Sequence, residues 1–452
     1  MTLAMQGIVD FLKVWWPELV SGVVIVAVVP LIAGYVVLVE RKLMADMQAR
    51  LGPMRVGPHG LLQPIADAVK LLIKEDIIPD DADKVIFWLA PVISMTAALT
   101  AMGAIAFGPS FQVARDINVG LLFILGVSSL GLFGIVLGGW ASNSRYSIIG
   151  AIRSTAQLVS YETAAGLALI SGVLLAGTLR IHGIVEAQST NGVWFIFLAP
   201  VAFFIYVVAS IAETNRAPFD LPEAESELVA GYMTEYSGFR WALYFLGEYA
   251  NMIVVGSVAT TLFLGGWLRP FPNVHWLDVG GVSLLDLIPS VFVALVGVYS
   301  VYRVGKQPVR VQRQFMAAVA LACFAVALIL AIPLFTAFHL LLPGVHGAFW
   351  FLLKVSAYIY LFMWLRFTLP RYRFDQLMHI GWYILIPLAI VNVFAVGIAL
   401  VLESEYHWNR WVALVITTVC TLAAAAFLTH LHDKRIEAAS SASVTTTDSY
   451  AG

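Results

Sequence analysis

Carboxylates set in apolar surroundings are the residues of this chain best placed to do chemistry. The stretch Ala212-Glu-Thr-Asn-Arg-Ala-Pro-Phe-Asp-Leu-Pro-Glu-Ala-Glu-Ser-Glu-Leu-Val229 holds five acids between two long apolar runs. Four carboxylates lie in or at the ends of apolar segments: Glu40, Glu162, Glu213 and Glu248. An ionised acid in a membrane helix costs about 2.5–3.5 kcal/mol or more, and such residues usually face a bundle interior or a wet cavity. Partly buried carboxylates can trade protons near neutral pH. Any one of the four is also explained by a salt bridge to an arginine that fixes helix packing. All four together fit a hydrated proton-exchange path better. Within the stretch, Pro218 and Pro222 prevent a regular helix through the first half. Asp220 then reads as a helix cap with Glu223 three residues on, and Glu225 as a charge that favours the helix dipole. Capping leaves Glu213, Arg216 and Glu227 unexplained. Glu223 and Glu227 share a face if the helix continues.

The elements that position these acids follow from hydropathy. Mean hydropathy is +0.87, and 12% of the 452 residues are charged, about half the usual share in soluble domains. Apolar runs near 20 residues long recur throughout, the length a helix needs to cross a bilayer. We read eleven of them, at 18–39, 85–107, 119–139, 157–177, 192–212, 241–264, 284–302, 315–341, 349–367, 380–402 and 411–430. The fold class is therefore all-α, a polytopic helical membrane protein. Placing the loop after the first run inside puts 20 of the 26 lysines and arginines inside, as basic loop residues require. The N-terminus is then outside and the C-terminus inside, and all four acids lie toward the inner side at similar depth. Leu62, Ile65, Ala66, Val69, Leu72 and Ile73 share one helical face, which predicts an amphipathic helix along the membrane surface.

The loop Glu40-Arg-Lys-Leu-Met-Ala-Asp-Met-Gln-Ala-Arg-Leu-Gly-Pro-Met-Arg-Val-Gly-Pro-His-Gly60 precedes that helix. Inner-leaflet basic residues and Gly-Pro turns explain its charges but not its density of turns. A lipid-facing platform with an inner opening suits a long apolar ligand that enters sideways. His59 alone is a weak candidate for function. The two cysteines, Cys323 and Cys420, have no Cys or His at ligand spacing, so disulfide scaffolds and metal or iron–sulfur sites are not expected. No glycine-rich phosphate loop is present, and the N-terminus lacks the pattern of a cleaved signal.

These motifs resemble the H subunit of bacterial NADH:quinone oxidoreductase, respiratory complex I. The resemblance rests on Glu40-Arg-Lys with Met47-Gln-Ala-Arg-Leu-Gly-Pro, Arg55-Val-Gly-Pro, Gly60 to Lys70, Lys74-Glu-Asp, Gly139 to Ser147, Ser160-Tyr-Glu162, Ala212 to Gly238, Glu248-Tyr-Ala-Asn251, and Leu365 to Arg371 with Asp375-Gln. It covers about 18–265 and 349–400. It implies a subunit without a redox centre, which forms the quinone chamber with two peripheral-arm subunits. Flavin and iron–sulfur clusters would sit in those partners. Further small membrane-arm subunits, quinone and membrane lipids are the other implied partners, with no nucleic acid. Positions matching the chamber and its entrance are Arg41, Gln48, Arg50, Asp67, Arg216, Phe219, Arg366 and Arg371. Positions matching the proton-coupling path are Glu40, Arg153, Tyr161, Glu162, Glu213, Asp220, Glu223, Glu225, Glu227 and Glu248. The location implied is the cell inner (cytoplasmic) membrane.

Two features depart from the family pattern. Met54 stands where the loop usually carries Asn. An eight-helix family core also leaves about three helices over. We expect a core at 1–265, an inserted helix pair at 266–346, the rest of the core at 347–402, an extra helix at 403–432 and a disordered tail at 433–452. Two rival readings remain. One is the equivalent subunit of a membrane-bound hydrogenase, which the quinone-like loop 40–76 disfavours. The other is a stand-alone transporter, for which inverted repeats and mid-membrane helix breaks are the usual marks.

Overall fold

The structure is a computed structural model that describes residues 2–109, 116–220, 229–270, 278–279, 282–305, 310–335, 342–409, 412, 414–416 and 418–427. Glu223, Glu225, Glu227 and the 433–452 tail lie outside these residues. Among the described residues, nine helices are long and apolar enough to cross a membrane, and Pro200–Glu213 and Leu414–Phe427 are shorter apolar helices. They overlap the eleven apolar runs, although the run 192–212 is broken. In chain order the helices are α1 (Thr2–Met47), α2 (Gln63–Ile73), α3 (Lys84–Gly103), α4 (Gly120–Ala141), α5 (Arg145–Ala176), α6 (Ile181–Asn191), α7 (Pro200–Glu213), α8 (Gly238–Phe263), α9 (Ile288–Val304), α10 (Arg310–Phe335), α11 (Leu342–Thr368), α12 (Phe374–Tyr406) and α13 (Leu414–Phe427). A two-residue ladder, Asp278–Val279 against Val282–Ser283, is a minor exception to the all-helical expectation.

Local chemistry sets several boundaries. Asp83 caps α3 by accepting the Val85 and Ile86 amides at 3.1 and 3.3 Å, which satisfies donors a helix start leaves over. α5 stops at Gly177, which is left-handed at φ 67°, a conformation glycine adopts without a Cβ clash. The expected span 192–212 is not continuous. A single turn, Phe195–Leu198, is followed by Ala199 at φ −134°, ψ 62°, and α7 begins at Pro200. Proline disfavours helical geometry in the residue before it, so the apolar run breaks there. α7 is 14 residues long, about 21 Å at 1.5 Å per residue.

α8 is the hub. Most of its membrane window is buried, and it packs against α1, α3 and α11. Small residues let its neighbours come close, as membrane helix interfaces commonly do. A Cβ on Gly172 of α5 would lie 2.7 Å from the Leu262 side chain of α8. α2 has no buried residue, and Leu62, Ile65, Val69, Leu72 and Ile73 are all exposed, as a lipid-facing surface helix requires.

α9 and α10 pack mainly on each other, with Gly297 against Cys323 and Phe324. Their far end is fixed to α11 by His346 Nε2 to the Leu330 carbonyl at 2.9 Å. Lys354 of α11 is buried, and its ammonium donates to the carbonyls of Leu264, Gly266 and Leu268 at 2.6, 2.9 and 2.6 Å. It also sits 4.2 Å from the centre of the Trp194 ring. These carbonyls end α8 and lack helical donors. Lys354→Met should therefore lower the melting temperature of the purified protein, since each orphaned buried acceptor costs about 1–3 kcal/mol. An unchanged melting curve would show that water replaces the ammonium.

Candidate functional site

α1, α8, α11 and the turn after α7 bring four of the candidate residues into one buried network. Glu40 of α1 is 4% exposed and pairs with Arg366 of α11. Tyr249 of α8 donates its hydroxyl to Glu40 Oε2 at 2.7 Å. Arg216 donates to the same hydroxyl at 3.3 Å, and its guanidinium lies 4.0 Å from the Tyr249 ring centre. Arg216 also stands 3.6 Å from Glu248 Oε2, and Tyr232 donates to Glu248 Oε1 at 3.0 Å. Two acids and two arginines thus alternate through one phenol. Such charges are tolerated out of water because they are paired and hydrogen-bonded.

Beyond Glu248 the network opens into a cavity. Glu248, Glu213 and Glu162 line it with Ser129, Asn215 and Asn251, between small residues of α3, α4 and α8. About 70 Å³ of it is open to water centres, and one water needs about 10–15 Å³, so several fit. Ser129 donates to Glu162. Among the described residues, neither Glu162 nor Glu213 has an arginine or lysine partner within bridging distance. These two acids therefore differ from Glu40 and Glu248. They line the cavity together and have no fixed cation beside them among the described residues. The expected common depth is refined here: three acids share the cavity, and Glu40 joins it only through Tyr249 and Arg216.

Other candidates form satellites. Arg41 bonds Asp67 of the surface helix at 2.9 Å, and Gln63 bonds the second Asp67 oxygen at 3.0 Å. This pair ties α1 to α2. Gln48 accepts from Arg50 at 2.7 Å in an exposed position and reaches none of the buried acids. Phe219 stacks on Tyr372 with centroids 5.7 Å apart and tilts against Tyr161 at 5.6 Å. Tyr161 bonds the Leu377 carbonyl at 2.9 Å, and Arg153 lies over the Phe374 ring at 5.7 Å. Gln157 of α5 donates to the carbonyls of Ala212 and Phe219, both at 2.9 Å, which fixes the turn that aims Arg216.

Asp220 bonds Arg371 at 3.1 Å. The helix it was expected to cap lies outside the described residues. Burial, opposed by Arg371, pushes its carboxyl from 3.8 up to about 6. Protonated Asp220 therefore stabilises the fold below pH 3.8, and that contribution is lost as pH rises through about 6. Asp220→Asn cannot ionise. Melting temperatures measured from pH 4 upward should show wild type losing ground to the variant across about pH 4–6. Parallel curves would count against the buried setting.

Four contributors escaped the sequence reading: Tyr249, Tyr232, Ser129 and Asn251. Tyr249 and Asn251 stand in the motif Glu248-Tyr-Ala-Asn251, so proximity to an acid was an available signal. Ser129 carried no signal, because a serine in an apolar helix usually bonds its own backbone, as Ser129 also does at 2.9 Å to Leu125.

Fold and site together define a multi-pass helical membrane protein with a linked row of buried carboxylates. Comparison with known proteins makes this specific. The family model for NADH dehydrogenase matches residues 20–397. Solibacter usitatus has an NADH-quinone oxidoreductase H subunit, its second, that is 55% identical over 384 residues, 83% of this chain and 94% of the relative. The first H subunit of Koribacter versatilis is 52% identical over 373 residues, 78% of this chain and 84% of the relative. The H subunit of Rickettsia prowazekii is 44% identical over 391 residues, 86% of this chain and 95% of the relative. The chain belongs to the family of NADH-quinone oxidoreductase H subunits.

Proposed function

We propose that the chain is the membrane subunit that joins the quinone chamber of a proton-translocating NADH:quinone oxidoreductase to its membrane arm. It forms the chamber with peripheral-arm subunits, which hold flavin and iron–sulfur clusters, while this chain holds no redox centre. Arg41, Gln48, Arg50, Asp67, Arg216, Phe219, Arg366 and Arg371 form the chamber wall and its entrance. Glu40, Arg153, Tyr161, Glu162, Glu213, Asp220, Glu223, Glu225, Glu227 and Glu248 carry the coupling. The protein lies in the cytoplasmic membrane with its N-terminus outside. Core segments 1–265 and 347–402 flank an inserted helix pair at 266–346, and 403–432 adds a helix before the tail.

The observation that supports this reading most is the unbroken run Glu40, Tyr249, Arg216, Glu248 into the cavity of Glu213 and Glu162. Reduction of a quinone takes up two electrons and two protons. Supplying those protons changes the charge beside Glu40 and Arg366. Each paired group next in line then meets a changed field, and in a dry interior that field is weakly screened. Glu213 and Glu162 answer by gaining or losing a proton with the cavity water. Native purification tests the assignment. The chain should migrate in a megadalton-scale assembly with flavin and iron–sulfur absorbance. Migration alone or as a homo-oligomer without those chromophores would point to a transporter instead.

A further inference from the structure

The helix pair α9–α10 has no role in the coupling network, yet its inner end touches the loop between α1 and α2. Phe315, in the second turn of α10, lies against His59 with ring centroids 6.2 Å apart. With Ala49 (φ 52°), His59 is one of two strained points of that loop. Its φ is 52°, a left-handed conformation that persists in non-glycine residues only where the surroundings enforce it. Gly57 and Gly60 flank it at φ 71° and 76°, and a Cβ on Gly60 would overlap the Pro53 carbonyl. Lys42 of α1 supplies the second constraint, donating to the His59 carbonyl at 2.5 Å. Burial, then the charges of Lys42 and of Arg303 of α9, hold the His59 imidazole below its usual value.

We propose that Phe315 is a positioning residue, which presses the His59 turn onto Lys42 and so sets the shape of the sideways entrance used by a long apolar quinone. The proposal rests on the quinone reading above. The loop from Leu51 to Leu62 leads directly into the surface helix, where Asp67 holds Arg41. Leu51, Met54, Val56 and Leu62 along it are exposed, so it presents apolar side chains to whatever passes. Few contacts hold this loop down: the Lys42 bond, turns such as Leu62 N to the Val56 carbonyl at 3.3 Å, and the Phe315 ring. Loss of the ring frees the turn to leave its strained conformation. The entrance then loses definition, while the reacting chamber deeper in is untouched.

The test uses the whole purified complex with Phe315→Ala, Phe315→Leu and Phe315→Tyr, and with Leu321→Ala as control. Leu321 is on the same helix and 73% exposed. Hydrogen exchange should quicken at residues 51–62 in the Ala and Leu variants, and Tyr should restore it. The KM for a long-chain quinone should rise about threefold to tenfold with kcat within about twofold, the pattern of weakened binding rather than slowed chemistry. NADH oxidation by an artificial acceptor should not change. Unchanged exchange at 51–62 in both the Ala and Leu variants overturns the proposal. So does an equal effect from Leu321→Ala, or a fall in kcat without a rise in KM. A wild-type complex that fails to reduce quinone overturns the functional reading instead, and the exchange result then judges the Phe315 contact alone.

Discussion

Arg216→Met is expected to abolish quinone-linked NADH oxidation while NADH oxidation by an artificial acceptor continues. Arg216 joins the Tyr249–Glu40 half of the buried network to Glu248. It stands between Tyr249 and Glu248 and is 7% exposed. Among the described residues, its loss leaves Glu248 buried with Tyr232 as its remaining donor and leaves Tyr249 bonded to Glu40 alone. Breaking a buried pair costs about 3–5 kcal/mol. If the deficit falls on the coupled state, turnover drops at least about a hundredfold, since 1.36 kcal/mol is a factor of ten. Arg216→Lys should rescue little, because a single-point ammonium does not reproduce the planar, fixed fork that lies over the Tyr249 ring while reaching its hydroxyl and Glu248. Quinone reductase assays on both variants, normalised to the artificial-acceptor rate, check this. A lysine variant at full activity would show that only the charge matters.

Glu213→Gln is the second large effect. Glutamine keeps the shape and hydrogen-bonding reach of the side chain but cannot take or release a proton. Glu213 lines the cavity without a cationic partner among the described residues, so the substitution disturbs no ion pair among them and assembly should be normal. Quinone-linked turnover should fall about tenfold or more, at the low end of what a lost proton-transfer group costs. Asn251→Ala, which alters the cavity wall but leaves all three acids, should cost far less. Equal losses from both would assign the effect to cavity shape.

Much of this was legible in the sequence, and the reason is the membrane. Burial of charge in an apolar run is costly enough that Glu40, Glu162, Glu213 and Glu248 declare themselves one by one. Basic residues assign each of them a side. Pairing was not legible. Arg366 lies 326 residues from Glu40, and nothing local to either links them. Tyr249 stands beside Glu248 in the sequence, but its bond to Glu40, 209 residues away, was not legible from that neighbour. The cavity escaped for a similar reason. Ala97, Ala98, Gly131 and Gly247 are visibly small, but that they face one another is a property of the packing. The break at Ala199 shows the opposite error. Hydropathy is blind to the backbone, and Pro200 interrupts a run that composition alone reads as continuous.

The central claim is that the cavity acids link quinone reduction to proton movement. The most direct measurement is proton translocation per electron in vesicles containing the complex with Glu213→Gln, alongside quinone-linked turnover. Both turnover and the protons moved should fall, while the artificial-acceptor rate stays at the wild-type level. Normal turnover with a normal number of protons per electron would contradict it.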